Sequence, residues 1–253
     1  MQLSSIQLAS NLLQVSILKL HNVLDTDFGH NFLIDLDQNL PFLESINSQI
    51  STNNIFRVRS FDSIYQFNVY RNFIYYFVRL TRPRLIIETG VFHGLTSAWI
   101  LQALEDNQSG QLISIDLPRR DWDSYFTDRT FGPGDADREL DELGDLDPGW
   151  IIPDYLRNRW ELILSPSELA LPPLLNKSSD LDLFIHDSDH SYQTMSFEVN
   201  LIRNLFPGCP IFIDDFYENS FTYELLSSNP RPHLLVDDVT PQNLVLSSTA
   251  LLL

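Results

Sequence analysis

From Arg84 onward, short apolar runs alternate with helix-length stretches, and several of the runs end in glycine or in acids. Leu85-Ile86-Ile87 leads into Glu88-Thr89-Gly90-Val91-Phe92-His93-Gly94 and a helix-like stretch from Thr96 to Leu104. Gln111-Leu112-Ile113-Ser114-Ile115-Asp116, Trp160-Glu161-Leu162-Ile163-Leu164, Leu181-Asp182-Leu183-Phe184-Ile185 and Cys209-Pro210-Ile211-Phe212-Ile213 follow, with a helix predicted around Gln193–Phe206. Short runs of this kind separated by helices predict βαβ units, whose parallel strands are covered on both faces. The tail pairs Leu234-Leu235-Val236 with Asn243 to Leu253, which reads as an antiparallel hairpin. The expected fold class is therefore α/β: a doubly wound sheet, mostly parallel, closing with that hairpin.

Residues 1–80 read as a helical N-terminal extension, a cap or an oligomer contact, and 81–253 as the main domain. Ile6, Leu8, Leu12, Leu13, Val15, Ile17, Leu18, Leu20 and Val23 have rough helical spacing. A second helix is predicted over about 60–80, loaded with Tyr65, Phe67, Tyr70, Phe73, Tyr75, Tyr76 and Phe77. Aromatics at this density imply packing, against the core or against a second copy in a homodimer, with a substrate lid as the alternative. The segment 118–153 is long, acidic and punctuated by Gly132-Pro133-Gly134 and Pro148-Gly149, and it leaves the second strand near one end of the ligand crevice.

Charge narrows the partners. Lys and Arg number 16 against 34 Asp and Glu, a net −18, which disfavours a nucleic-acid or anionic-membrane partner. The excess is concentrated: 116–147 hold 11 acids and 4 bases, and 181–253 hold 10 acids and 2 bases. Cys209 is alone, so an intramolecular disulfide and a cysteine-built zinc site are excluded. No targeting signal or membrane-length apolar stretch is visible, and the expected location is the cytoplasm.

Three motifs carry chemistry. Glu88-Thr89-Gly90 through Gly94 follows a strand and precedes a helix, the place where open α/β sheets bind ligands. Its spacing is G-x-x-x-G rather than the dinucleotide pattern, and its acid suits a ligand with a cationic part; taken alone, the motif reads equally as a bare βα turn. Asp116 ends the next strand, where a carboxylate accepts hydrogen bonds from ribose hydroxyls or else caps the following turn. His186-Asp187-Ser188-Asp189-His190 and Asp214-Asp215 end two further strands and deliver four carboxylates to one rim. Like charges that close favour a hard divalent cation, Mg²⁺ or Ca²⁺ rather than zinc, the other reading being structural caps of the loops that follow. His186 and His190 are open to three readings: a partner of a ligand, an acid/base group, or packing.

Taken in order, the E-x-G-x-x-x-G turn, I-D, F-I-H-D-S-D-H-S-Y and I-D-D resemble the class I S-adenosylmethionine-dependent methyltransferases, over about 82–253. More narrowly the chain is similar to the metal-dependent small-molecule O-methyltransferases, the catechol and macrocin group. The resemblance implies a Rossmann-like sheet and methyl transfer to a small hydroxylated acceptor. It further implies that Glu88, Gly90 and Gly94 shape the methionine pocket and that Asp116 holds the ribose. Asp187, Asp214 and Asp215 would ligate Mg²⁺ or another divalent cation, with Asp187 also bordering the cofactor, and Asp189 or His190 would be the base. After the third strand, Leu164-Ser165-Pro166-Ser167 replaces the family's glycine-acid pair, leaving Ser165 and Ser167 as the adenine-side candidates.

Other readings are weaker. A non-haem iron oxygenase would use His186, Asp187, Asp189 and His233, but the spacing and the strand order are wrong for it. A nicotinamide-dependent reductase lacks the third glycine. A non-catalytic cofactor-binding partner protein would not need the full set of strand-end carboxylates, and a metal-independent methyltransferase of the same fold is a further alternative.

Overall fold

The computed structural model describes residues 39–53, 68–118, 146–217, 219–228, 233–239 and 245–252. The helix expected within 6–23, Tyr65 and Phe67, and residues 119–145 of the acidic segment lie outside the described residues. Among the described residues two helices come first, α1 (Leu40–Asn53) and α2 (Asn68–Thr81). The sheet units follow: β1 (Leu85–Thr89), α3 (Leu95–Asn107), β2 (Gln111–Asp116), a 3₁₀ helix (Asp154–Arg159), β3 (Trp160–Leu164), α4 (Ser167–Leu175), β4 (Leu183–His186) and α5 (Tyr192–Leu205). Then come β5 (Ile211–Ile213), α6 (Phe221–Ser228), β6 (His233–Val239) and β7 (Val245–Leu252).

The seven strands are ordered β3-β2-β1-β4-β5-β7-β6. The first five pair in parallel, and β7 runs antiparallel to both β5 and β6. The expected mostly parallel sheet with its antiparallel closing hairpin is therefore the observed fold. The chain winds outward from β1 through β2 to β3, then returns to place β4 on the other side of β1. That reversal is the topological switch point, where the loops leaving adjacent strand ends part and open a crevice.

Strand alternation divides the core in two. Ile86, Leu112, Leu183, Ile185, Phe212 and Leu251 belong to one buried cluster together with α1, α2 and α3. Their neighbours Ile87, Phe184, Ile211, Ile213, Ala250 and Leu252 belong to the other, with α4, α5 and α6. Successive strand residues point to opposite faces, so a continuous apolar run serves both layers.

The aromatic stretch also packs within the chain. Tyr70, Phe73, Ile74, Tyr75 and Tyr76 are buried in the first cluster with Phe42, Ile46 and Ile50 of α1. Phe73 and Phe77 both meet Phe212 edge-on, at centroid distances of 5.7 and 5.4 Å. Polar pairs bind α2 to α3: the Tyr75 hydroxyl donates to Asp106 at 2.6 Å, and Trp99 Nε1 donates to Asn72 at 3.0 Å. The helix thus covers the sheet over β5. No helix among the described residues is long and apolar enough to cross a membrane.

Candidate active site

Register sets the site. Thr89 of β1 is level with His186 of β4, and His186 is level with Ile213 of β5. The residues that follow, Gly90, Asp187 and Asp214, therefore leave the sheet side by side. The Asp187 amide donates to the Thr89 carbonyl at 2.9 Å, and the Asp214 amide donates to the His186 carbonyl at 2.9 Å.

On the β1 side, Glu88 is fully buried. Its Oε2 accepts from the hydroxyls of Ser97 at 2.7 Å and Ser114 at 2.8 Å, while its buried Oε1 has no hydrogen-bond partner among the described residues. Burial pushes its pKa up to about 7, against the opposing pull of the two serine hydrogen bonds. Asp116 is held differently: one oxygen accepts from the amides of Val91 and Phe92 at 3.0 and 2.8 Å, the other from Leu117 at 2.7 Å. The carboxylate therefore organises the glycine turn directly. Burial raises its pKa to about 6, against those three backbone hydrogen bonds.

The two glycines are required first by the protein itself. Gly90 has φ +84°, and a Cβ there would lie 1.8 Å from the Asp187 carbonyl oxygen. Gly94 has φ +88°, and its Cβ would lie 2.7 Å from Gly149 Cα. The latter contact arises because the 146–153 segment docks on the turn: the Gly149 amide donates to Phe92 O at 2.8 Å, and Trp150 Nε1 donates to His93 Nδ1 at 2.9 Å. Gly90→Ala should cost about 3 kcal/mol or more in urea unfolding, since strain and backbone overlap act together. Gly208→Ala is the control, because beyond its chain neighbours no atom of the described residues lies within 4 Å of a Cβ there. It should change stability by less than about 0.5 kcal/mol.

Ser165 and Ser167 stand beyond Asp116. The Ser165 amide donates to the Asp116 carbonyl at 2.8 Å and its hydroxyl to the Pro166 carbonyl at 3.3 Å, while Ser167 is buried at the start of α4. They flank the β2–β3 side of the crevice.

On the β4–β5 side, Asp187, His190 and Asp214 bring donor atoms within 4.8 Å of one another. Burial, then the charge of Asp214, holds the Asp187 carboxyl well above the usual carboxylate range. Asp214 Oδ1 also accepts from the Thr249 hydroxyl at 2.6 Å. Asp215 has φ +45° and places Oδ2 3.4 Å from His190 Nδ1, while the buried Nε2 of His190 has no hydrogen-bond partner among the described residues. The converging set is thus Asp187, His190 and Asp214, with Asp215 turned onto the imidazole. Asp189 serves the start of α5, its oxygens accepting from the Ser191 amide at 3.1 Å and the hydroxyls of Ser191 and Thr194, both at 2.6 Å.

Tyr70 of α2 is buried within electrostatic reach of these carboxylates, a neighbour that the motifs do not reveal. Its phenol is buried in the field of Asp187, Asp214 and Glu88, and burial followed by those charges raises its pKa. The sequence signal was only the aromatic density of the helix, which does not say which ring faces the carboxylates.

The arrangement can hold a cation between Asp187 and Asp214, move a proton at His190, and bind a partly cationic ligand beside Glu88. The family model for a methyltransferase domain matches residues 87–216, the stretch from β1 to just past Asp215. No curated protein matches the chain in sequence. In structure it is similar to the O-methyltransferase from Bacillus cereus in complex with SAH, with a TM-score of 0.51, 16% identity, and coverage of 92% of this chain and 96% of that one. It is also similar to an O-methyltransferase from Streptomyces achromogenes involved in tomaymycin synthesis, in complex with SAM. There the TM-score is 0.52, the identity 17%, and the coverage 83% of this chain and 89% of that one. With more than half of its 253 residues matched by that model, the chain belongs to the methyltransferase-domain family.

Proposed function

We propose that the protein transfers a methyl group from S-adenosylmethionine to a hydroxyl of a small metabolite, a sugar, glycoside or phenol, with the help of a divalent cation such as Mg²⁺. The observation that carries this reading is the convergence of Asp187, Asp214 and His190 beside the glycine turn. Two further points support it: the similar structures from B. cereus and S. achromogenes hold SAH and SAM, and the buried Glu88 oxygen without a partner among the described residues suits a cationic ligand.

S-adenosylmethionine supplies an already electrophilic methyl group, so the protein's main task is alignment. Glu88, Gly90, Gly94 and Asp116 would shape and hold its methionine and ribose parts, with Ser165 and Ser167 on the adenine side. Asp187 and Asp214 would hold the cation, which lowers the pKa of a bound hydroxyl. His190 takes the hydroxyl proton at Nε2, and Asp215 orients its ring through Nδ1. Asp189 positions His190 by fixing the start of α5. Tyr70 closes the site from the α2 side and excludes water.

Calorimetric titration of the purified protein with S-adenosylmethionine and then Mg²⁺ tests the reading; heat from neither would sink it. His190→Gln separates base from ligand. As the base, its loss leaves Mg²⁺ affinity within about twofold and lowers methyl transfer to a phenol and glycoside panel by about 100-fold or more. A tenfold loss of Mg²⁺ affinity would instead make His190 the third metal donor.

A further inference from the structure

His186 and Glu198 have no role in the reading above, yet both are fully buried. Glu198 rises from α5 beneath the ends of β1 and β4. Its Oε2 lies 2.6 Å from His186 Nδ1 and accepts from the Thr89 hydroxyl at 2.6 Å, while Oε1 accepts from the Ser188 hydroxyl at 3.0 Å. A carboxylate removed from water persists only where such partners satisfy it. Here the partners have a common location: Thr89 precedes Gly90, His186 precedes Asp187, and Ser188 follows Asp187.

The contact continues to the reacting end. The His186 ring meets the His190 ring edge-on, with centroids 5.6 Å apart at 76°. His186 Nε2 is buried without a hydrogen-bond partner among the described residues, so Glu198 is the ring's hydrogen-bond tether. One carboxylate therefore fixes the imidazole against which His190 packs, and also the serine next to Asp187.

We infer that Glu198 and His186 are positioning residues, which act through His190 and the Asp187–Ser188 turn to set the direction of the imidazole and of the cation-facing carboxylate. The inference rests on reading Asp187, Asp214 and His190 as the reacting end. It requires hydrogen-bond geometry at Glu198 rather than its charge. A glutamine can reproduce that geometry, its oxygen facing His186 and Thr89 and its amide facing Ser188. A leucine of similar size cannot.

The experiment uses the full chain at one fixed pH. Histidine side-chain nitrogen NMR is recorded without metal, and Mn²⁺ affinity is then measured by titration. Glu198→Leu should abolish the hydrogen-bonded Nδ1 signature of His186, shift the ring nitrogens of His190, and weaken Mn²⁺ binding by about tenfold. Glu198→Gln should return His190 and the Mn²⁺ affinity close to wild type. Should the leucine protein fail to fold, Ser188→Ala removes one contact only and should move the same His190 signals by less.

A folded Glu198→Leu or Ser188→Ala protein with wild-type His190 signals and Mn²⁺ affinity would overturn the inference. A Gln protein as impaired as the Leu protein would overturn its hydrogen-bond basis. If the wild type binds no Mn²⁺ while His190 still responds to Glu198→Leu, the positioning role stands and the cation leaves the proposed function.

Discussion

Glu88→Gln should flatten the dependence of folding stability on pH between about 4.5 and 7. In the folded protein the Glu88 carboxyl keeps its proton to about pH 7, whereas the ordinary value is 4.5. Between those limits the folded state binds more protons than the unfolded state, so stability falls as pH rises. The contribution is fully present below 4.5 and lost as pH passes 7. Its size is ~3 kcal/mol, from the difference between the two values. Asp116 acts with the same sign over a lower window, from 3.8 to about 6, so the variant keeps part of the slope. Urea unfolding of both proteins from pH 4.5 to 8 checks this, and parallel curves would mean that Glu88 ionises without penalty. The cost has a functional counterpart: a cationic ligand beside Glu88 would favour its ionised form, so ligand should stabilise the wild type most above pH 7.

Legibility in the sequence followed physical locality. The strands could be read because a parallel sheet covered on both faces demands continuous apolar runs, and Ile86-Ile87 or Ile211-Phe212-Ile213 serve both layers at once. Asp187 and Asp214 could be placed together because both end strands of one sheet. Side-chain direction beyond the strand ends was not legible. Asp215 follows Asp214 by one residue, but its left-handed backbone turns it to His190 rather than into the converging set. Asp189 looked available as a base, yet two nearby hydroxyls and an amide claim its oxygens. Gly94 was legible as a turn glycine, but not the close approach that also demands it, to Gly149, 55 positions along the sequence. Tyr70 and Glu198 reach the site from helices, where helical spacing gives no hint of what lies beneath.

The proposed cation site leads to the largest expected change. Asp214→Asn should weaken Mg²⁺ binding by about 100-fold while leaving S-adenosylhomocysteine affinity within about twofold, because Asp214 stands on the β5 end, away from Glu88 and Asp116. The same substitution should stabilise the metal-free protein. After burial, Asp214 is the main cause of the raised Asp187 pKa, so removing its charge lowers that pKa toward the ordinary value. The folded-state penalty for ionising Asp187, incurred as pH rises above its unfolded value, then shrinks, and the gain should be largest at neutral pH and vanish below about pH 4. Asn can still accept from the Thr249 hydroxyl, so the local packing survives. Cation affinity and stability would thus move in opposite directions, the expected mark of like charges held together for a ligand. Calorimetry with Mg²⁺ and thermal unfolding at pH 4 and 7.5, each with and without EDTA, read the two effects separately. Unchanged Mg²⁺ affinity would remove Asp214 from the cation site, and a loss of stability at pH 7.5 would mean that its carboxylate is held for packing rather than for a cation.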